Sequence, residues 1–201
     1  AHIDHSGLLP RLVKKGFSGP IYATPPTKDL LEIMLLDSAH IQEMEAEWTN
    51  IKRKRQRKPL VEPLYVQADA EKTLPLFTAA DYNETFEPAP GVKVTYRDAG
   101  HILGSAFLEL CVTEDDTDYN MIFSGDLGRP DRLILQDPDQ GKPTDFLFIE
   151  STYGDRNHKD VEDSRKELAE AIAYSYENGE KVIIPAFAVE RSQEIIYTLF
   201  L

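Results

Sequence analysis

The chain has 201 residues, 41% of them hydrophobic, and a formal net charge of −13 at pH 7, so its length allows one full core or one domain and part of a second. The acidic excess excludes a general phosphate-binding surface, and any contact with nucleic acid has to be local. The sequence shows neither an apolar run near the roughly 20 residues of a membrane span nor a signal peptide, and its single cysteine excludes an intrachain disulfide, so we expect a soluble, cytoplasmic protein.

The N-terminal segment carries two imidazoles and one carboxylate within four positions, His2, Asp4 and His5. Nitrogen and oxygen donors in such a set suit Zn²⁺. In an extended backbone alternate side chains share a face, so the pattern predicts that His2 and Asp4 point the same way and that His5 follows at a turn. A solvated polar segment without a metal is the alternative interpretation.

Helices dominate the predicted elements of the first half. Ser6 is a candidate N-cap for a short helix that ends near Gly16, and residues 21–23 favour a strand. Thr24-Pro25-Pro26 indicates the start of a long amphipathic helix, with a candidate break near Asp37. Its predicted apolar stripe comprises Leu30, Met34, Ile41, Met44, Trp48 and Ile51. His40 along this helix is interpreted as a surface or packing residue.

Residues 52–58, Lys-Arg-Lys-Arg-Gln-Arg-Lys, form a dense basic segment inside the acidic chain. Cations are favourable at the C-terminal end of a helix, so a solvated helix end is the simplest interpretation. Contact with RNA and a nuclear-import signal are the alternatives that the residues leave open.

The second half changes to strand patterns. After Pro59 and Pro63, Asp69 is a candidate cap for a short helix through residue 77, and Glu114 to Asp118 indicates a hairpin turn. Strands are predicted over residues 92–96, 106–110, 120–124, 146–149 (buried) and 182–184, and helices over 161–177 and from 191. Cys111 falls in a strand pattern and is a candidate core residue rather than a nucleophile. This order of elements predicts layered α/β packing around sheets.

Three further polar residues occur at strand ends or beside glycines, His101, Asp126 and Glu150. Such positions present catalytic side chains on a rigid scaffold. Each residue taken singly is compatible with an ordinary turn. Taken together with His2, Asp4 and His5, they are more than isolated signals.

The chain resembles the metallo-β-lactamase superfamily and, within it, the β-CASP nucleic-acid-processing branch that includes the endonuclease subunit of the cleavage and polyadenylation specificity factor. Residues 1–5 match the first superfamily motif except for its leading histidine, residues 100–104 match the second and residues 124–126 match the third. Residues 150–154 and 184–194 resemble the β-CASP segments that follow.

The resemblance implies a role for each of these side chains in a site with two Zn²⁺ ions. His2 and His101 would bind one zinc, Asp4 and His5 the second, and Asp126 would bridge them. A hydroxide held by both ions would attack phosphorus in line, and Asp4 is a candidate to orient it. Glu150 would pair with a histidine that protonates the leaving oxygen.

Some family residues have no counterpart in the 201 positions: the leading histidine, the acid histidine and the last zinc-binding histidine. His158 follows Glu150 too closely to be either of the last two. We therefore expect an excerpt of a longer protein. Residues 1–154 would be a metallo-β-lactamase domain, a partial αββα sandwich without its N-terminal part, and residues 155–201 the beginning of a β-CASP α/β domain.

The function implied by the resemblance is that of a zinc-dependent RNA-processing phosphodiesterase, an endoribonuclease with exonuclease activity left open. Its expected partner is single-stranded RNA, with a homodimer left open and no membrane. One alternative is a hydrolase of thioesters or other small esters, against which residues 150–154 and 184–194 argue. The other is a non-catalytic scaffold, against which the retained ligands argue.

Overall fold

The computed structural model describes residues 2–157 and 159–200, and it has the predicted mixed α/β character. The helices are α1 Ile3–Ser6, α2 Leu9–Lys14, α3 Pro25–Arg55, α4 Gln67–Thr73, α5 Val161–Glu177 and α6 Arg191–Phe200, with a 3₁₀ turn at Leu74–Leu76. The strands are β1 Ile21–Ala23, β2 Phe77–Ala79, β3 Thr85–Ala89, β4 Val92–Asp98, β5 Ala106–Glu114, β6 Thr117–Phe123 and β7 Phe146–Phe148.

The chain divides into two compact units. The first comprises Ala1–Asp131 with Leu135–Ile149, and the second comprises Arg132–Ile134 with Glu150–Leu201. The αββα sandwich and the domain boundary after residue 154 stay predictions. No helix among the described residues combines the length and the apolar character that crossing a membrane requires.

The first unit contains a five-stranded sheet in the order β3-β4-β5-β6-β7. Its strands pair antiparallel except β6 and β7, which are parallel. Asp115 and Asp116 join β5 to β6 with left-handed backbones, φ 48° and 59°, as a two-residue hairpin requires. The predicted turn at this point is confirmed. Strands β1 and β2 form a separate parallel pair.

Helix α3 packs against α4 and the pair of strands β1 and β2 in the first unit. Thr24 caps it, since its hydroxyl oxygen accepts a hydrogen bond from the Thr27 N–H, and prolines occupy the first turn, as predicted. The side chains packed around its inner face form one apolar core, listed as Ala23, Leu31, Leu35, Ala39, Tyr65, Ala70 and Phe77. The helix is continuous, so the predicted break near Asp37 is wrong.

Two predictions about apolar residues are also wrong. In α3 the buried face contains Leu31 and Leu35, whereas Ile41 and Trp48 of the predicted stripe are exposed. The segment 146–149 was expected to be buried, but its four side chains are 50–60% exposed. Strand β7 is the last strand of the sheet, and among the described residues no element buries its side chains.

In the second unit the predicted helices over 161–177 and from 191 are confirmed. Asp160 caps α5, and its carboxylate accepts hydrogen bonds from the N–H groups of Glu162 and Asp163. The predicted strand over residues 182–184 is wrong, since these residues pair with no strand among the described residues.

Candidate metal centre

Three histidine side chains converge on one carboxylate oxygen in the first unit. The Oδ2 atom of Asp126 lies 3.4 Å from His2 Nδ1, 3.3 Å from His5 Nε2 and 3.7 Å from His101 Nε2. The ligand atoms of His2, His101 and Asp126 all lie within 4.8 Å of one another. Imidazole nitrogens with a carboxylate are a donor set that suits Zn²⁺ and related ions.

Helix α1 positions His2 and His5. His2 is its N-cap and the His5 N–H donates to the His2 carbonyl, so the two imidazoles lie three positions apart on one side of a single turn. The extended backbone considered for residues 2–4 is found only at His2, with φ −66° and ψ 150°, because the helix begins at Ile3. Close packing holds the turn, since Gly7 N–H donates to the Ile3 carbonyl at 2.6 Å, and a Cβ at Gly7 would lie 2.6 Å from that same oxygen.

A second correction follows for Asp4. Because residues 3–6 are helical, Asp4 does not share a face with His2, and its side chain is 74% exposed. Its Oδ2 lies 3.5 Å from His5 Nε2. The carboxylate of Asp4 therefore stands next to the His5 end of the cluster, away from the His2 and His101 rings, which contact each other edge to face at 5.1 Å between centroids.

His101 lies in the tight connection from β4 to β5, and Ser105 holds this connection. The Ser105 hydroxyl oxygen accepts hydrogen bonds from the N–H groups of His101 and Ile102 at 3.0 and 3.2 Å. Gly100 supplies a left-handed backbone, φ 60°, and its N–H donates to the Asp98 carboxylate. Burial raises the pKa of Asp98, an effect that the Gly100 N–H opposes and the charge of Asp139 reinforces.

The start of α3 supports the same connection from outside. The hydroxyls of Thr24 and Thr27 both donate to the Gly104 carbonyl, at 2.7 and 2.8 Å. A Cβ on Gly104 would lie 2.7 Å from the Thr27 nitrogen, so only glycine allows this approach. Tyr82 closes the other side by donating its hydroxyl to the Ser105 carbonyl, and burial together with the charge of Asp98 raises the pKa of Tyr82 to about 12.

Asp126 follows β6 in a loop that contacts the His101 connection directly. The Gly128 N–H donates to the Ala99 carbonyl at 2.7 Å. A Cβ on Gly128 would lie 1.7 Å from the Gly100 carbonyl oxygen, so no other residue fits there. This contact fixes the distance between the carboxylate and the imidazole of His101.

Glu150 belongs to the second unit, directly after Ile149. It is half-buried. The structure therefore brings together four of the six predicted site residues, places Asp4 beside them, and leaves the role of Glu150 a prediction. His158 lies outside the described residues.

Sequence reasoning missed the residues that hold these ligands in place, among them Ser105, Thr24 and Gly128. Ser105 had a signal, because a serine four positions after a histidine and directly after a glycine can cap a tight turn. Thr24 was placed at the start of a predicted helix, but its contact with a carbonyl 80 positions away has no signature in the local sequence.

Known proteins resemble the chain over its whole length. It is 34% identical over 200 residues to Ribonuclease TTHA0252 of Thermus thermophilus. It is 37% identical to the transcription termination factor FttA of Methanothermobacter thermautotrophicus over 204 residues and of Thermococcus kodakarensis over 203. These similarities are consistent with the predicted resemblance to the β-CASP branch of the metallo-β-lactamase superfamily.

The chain spans 41% of the length of the ribonuclease and 29% of the length of the two termination factors. No protein-family model matches it. The predicted resemblance to the β-CASP branch is thus confirmed by whole-chain similarity. The residues clustered at Asp126 are motif residues on which that prediction was based.

Proposed function

We propose that the protein is a zinc-dependent RNA-processing nuclease that hydrolyses phosphodiester bonds as an endoribonuclease. The observation that carries the proposal is the convergence of three imidazoles on Asp126 Oδ2. Its relatives support the choice of substrate, because one is named a ribonuclease and others are named transcription termination factors.

The geometry supports two ions rather than one. Asp126 Oδ2 is shared by two sets of donors, His2 with His101 on one side and His5 with Asp4 on the other. A carboxylate bridge between two such sets is the arrangement of dinuclear hydrolases, in which the metals activate water and neutralise charge on phosphoryl oxygens.

The chain's own residues would then divide the work. Asp126 would link the two donor sets, and Asp4, besides completing the set of His5, would orient the nucleophilic water. Glu150 is proposed to orient the group that protonates the leaving oxygen, and the slowing expected from its loss is about 10²- to 10⁴-fold.

Metal titration tests this proposal without relying on activity. Co²⁺ added to the intact apoprotein should give a visible absorption band and bind at two ions per chain, and Asp126→Asn should abolish tight binding of both ions. Asp116→Asn, the same chemical change in the exposed hairpin turn, is the matched control. Binding of two ions by Asp126→Asn with unchanged affinity would contradict the shared carboxylate.

Activity is measured next on RNA, DNA and thioester substrates in parallel. The expected result is metal-dependent cleavage of RNA that stops when the metal is removed by a chelator. Hydrolysis of the thioester alone, or of none of the substrates by metal-loaded protein, would contradict the proposed function.

A further inference from the structure

The C-terminal end of α3 concentrates positive charge that the metal centre does not use. The basic segment, residues 52–58, holds six cations in a chain of net charge −13. Arg53 is half-buried and donates to the Pro59 carbonyl, while the other five cations are exposed. Among the described residues, none of the six forms an ion pair, although this chain pairs several of its other cations, such as Lys14 with Asp69.

The positive charge of the basic segment exceeds what is needed to compensate the dipole at the C-terminus of α3. A helix C-terminus carries the equivalent of about half a negative charge, which one or two cations compensate. Six adjacent cations repel one another, and no ion pair with the acidic side chains of the described residues offsets that repulsion. The segment therefore has the charge of a binding site for an external polyanion.

The backbone conformation at the end of α3 also supports a binding role for the basic segment. Lys58 N–H donates to the Arg53 carbonyl and Arg57 N–H to the Lys54 carbonyl, the two hydrogen bonds of a Schellman motif. The position after the C-cap is usually glycine, since it requires a left-handed backbone, yet here it is Arg57 with φ 52°. A cation thus occupies a position where glycine would make the helix end more stable.

An aromatic side chain lies on the same face of α3 as part of the basic segment. Trp48 is 67% exposed. Lys52 and Arg55 follow it at four and seven positions, so all three lie along one side of the helix. Exposed aromatic rings beside a track of cations are the common arrangement for binding single-stranded nucleic acid, in which bases stack and phosphates pair with the cations.

We propose that the C-terminal end of α3 is a second RNA-binding site, outside the metal centre, in which the basic segment contacts phosphates and Trp48 stacks on a base of a single strand. The choice of RNA over other polyanions rests on the proposed function. The charge and the exposed tryptophan are observed in this chain itself and do not depend on its relatives.

Binding is measured by fluorescence anisotropy with a labelled 20-nucleotide oligouridylate, using the intact protein in EDTA so that cleavage cannot occur. Replacing Lys54, Arg55, Arg57 and Lys58 by Gln should weaken binding at least about tenfold at 0.1 M salt. It should also lower the slope of log Kd against log salt by about 3, because each phosphate contact on a single strand contributes about 0.7.

A matched control removes four charges elsewhere. Lys15, Lys72, Lys93 and Lys166 are exposed and scattered over the chain, and their replacement by Gln changes the net charge equally. This control should lower the slope by less than about 1. Equal losses in the two quadruple variants would overturn the proposal, because binding would then follow net charge rather than a site.

Trp48→Ala tests stacking separately from charge. It should weaken RNA binding about tenfold and leave the salt slope unchanged. Ile33→Ala, at an equally exposed position of α3, is its control. Unchanged affinity in Trp48→Ala would overturn the stacking contact. Binding of phosphatidylserine vesicles through the segment, with no binding of the oligouridylate, would identify a membrane surface and overturn the proposal as a whole.

Arg57→Gly separates stability from binding. It should raise the midpoint of thermal unfolding, since glycine adopts φ 52° without strain, and should weaken RNA binding about two- to fivefold. A variant that is more stable and binds RNA as tightly as the parent would show that Arg57 makes no contact.

Hydrolysis of bis(p-nitrophenyl) phosphate separates this proposal from the function proposed above. This small diester reports on the metal centre, because it has a single phosphate and no further nucleotides that a second site could bind. If the metal-loaded protein hydrolyses it but RNA binding is the same in both quadruple variants, the second site is wrong and the nuclease stands. If it is not hydrolysed but RNA binding depends on the segment, the nuclease is wrong and the site stands.

Discussion

Asp4 is the residue whose role the structure changes most. It was expected to share a face with His2, but the helical turn of α1 puts it beside His5 only, 3.5 Å from Nε2. If two ions bind, Asp4 is a donor for one of them and has no contact with the other.

We therefore predict that Asp4→Asn reduces bound zinc from two ions to one. The ion held by His2, His101 and Asp126 should remain, because Asp4 takes no part in that set. Elemental analysis after dialysis measures the ratio, with Asp37→Asn on the exposed side of α3 as the control. Loss of both ions, or of neither, would contradict the division of ligands.

The ionisation of Glu109 in β5 contributes to the stability of the fold. Burial by itself raises the pKa of its carboxyl, but hydrogen bonds from Arg97 and from the Lys142 N–H, with the charges of both residues, outweigh burial and lower the pKa below 4.5. A lowered pKa in the folded state stabilises the fold above the unfolded pKa, and that stabilisation is lost as the pH falls through the folded pKa.

Glu109→Gln keeps an acceptor oxygen but loses the charge, so it should reduce the free energy of unfolding at pH 7 by about 1.5 kcal/mol, the lower end of the range for a hydrogen bond to a charged group. The difference between parent and variant should shrink as the pH falls from the ordinary pKa of 4.5 through the lower pKa of the folded carboxyl. Urea unfolding at pH 7 and pH 3 measures both values. Glu114→Gln, at the exposed end of the same strand, should show neither effect.

At the scale of elements, the start of α3 and the His101 connection act as one structure. Thr24 caps the helix and also donates to the Gly104 carbonyl, so its loss removes a helix cap and a support of the metal centre together. The cap of α5, Asp160, has the first function without the second.

Thr24→Ala should lower the free energy of unfolding by about 1–2 kcal/mol and weaken metal binding as well. Thr24→Ser, which keeps the hydroxyl, should restore metal affinity. Asp160→Ala should remove a cap at similar cost and leave metal affinity unchanged. Calorimetric titration with Zn²⁺ distinguishes the cases, and equal metal affinity in Thr24→Ala and Asp160→Ala would contradict the coupling.

Local patterns predicted elements better than they predicted faces. The start of α3, the hairpin at Asp115 and the bounds of α5 were predictable because caps, prolines and turn residues act on their immediate neighbours. The buried face of α3 was not, because two faces fit a helical period. Packing around Tyr65, whose hydroxyl bonds to Ser38 at 2.8 Å, buries the face with Leu35 and Ala39 instead of the one with Trp48.

The candidate site shows the same limit. Residue types near glycines suggested His101 and Asp126, but their approach to His2 and His5 depends on tertiary contacts such as the Gly128 N–H to the Ala99 carbonyl. No local pattern encodes a contact of that kind. Only the resemblance to a family linked the separate motifs before the structure did.

At the scale of the whole molecule, the two units differ in how much they bury. The first contains the apolar core around α3, whereas α5 and α6 of the second have no buried residue. Helical stability in proteins comes mainly from tertiary packing, so α5 and α6 of this chain should open more easily than α3.

Hydrogen exchange of the 201-residue chain checks this difference. Backbone amides of α5 and α6 should exchange at least about a hundredfold faster than those of Leu31 to Ala39 in α3. Equal protection in the two units would show that the second unit is stabilised by packing that its exposed helices do not display.

The separation of the metal-centre residues along the chain has a kinetic consequence. His2 and Asp126 are 124 positions apart, so an ion held between them would close a loop of more than half the chain. Contacts of such long range form late in folding, because loop closure has to come first. Bound zinc should therefore act as a cross-link that slows unfolding. Stopped-flow measurements with and without chelator should show faster unfolding in its presence and an unchanged refolding rate.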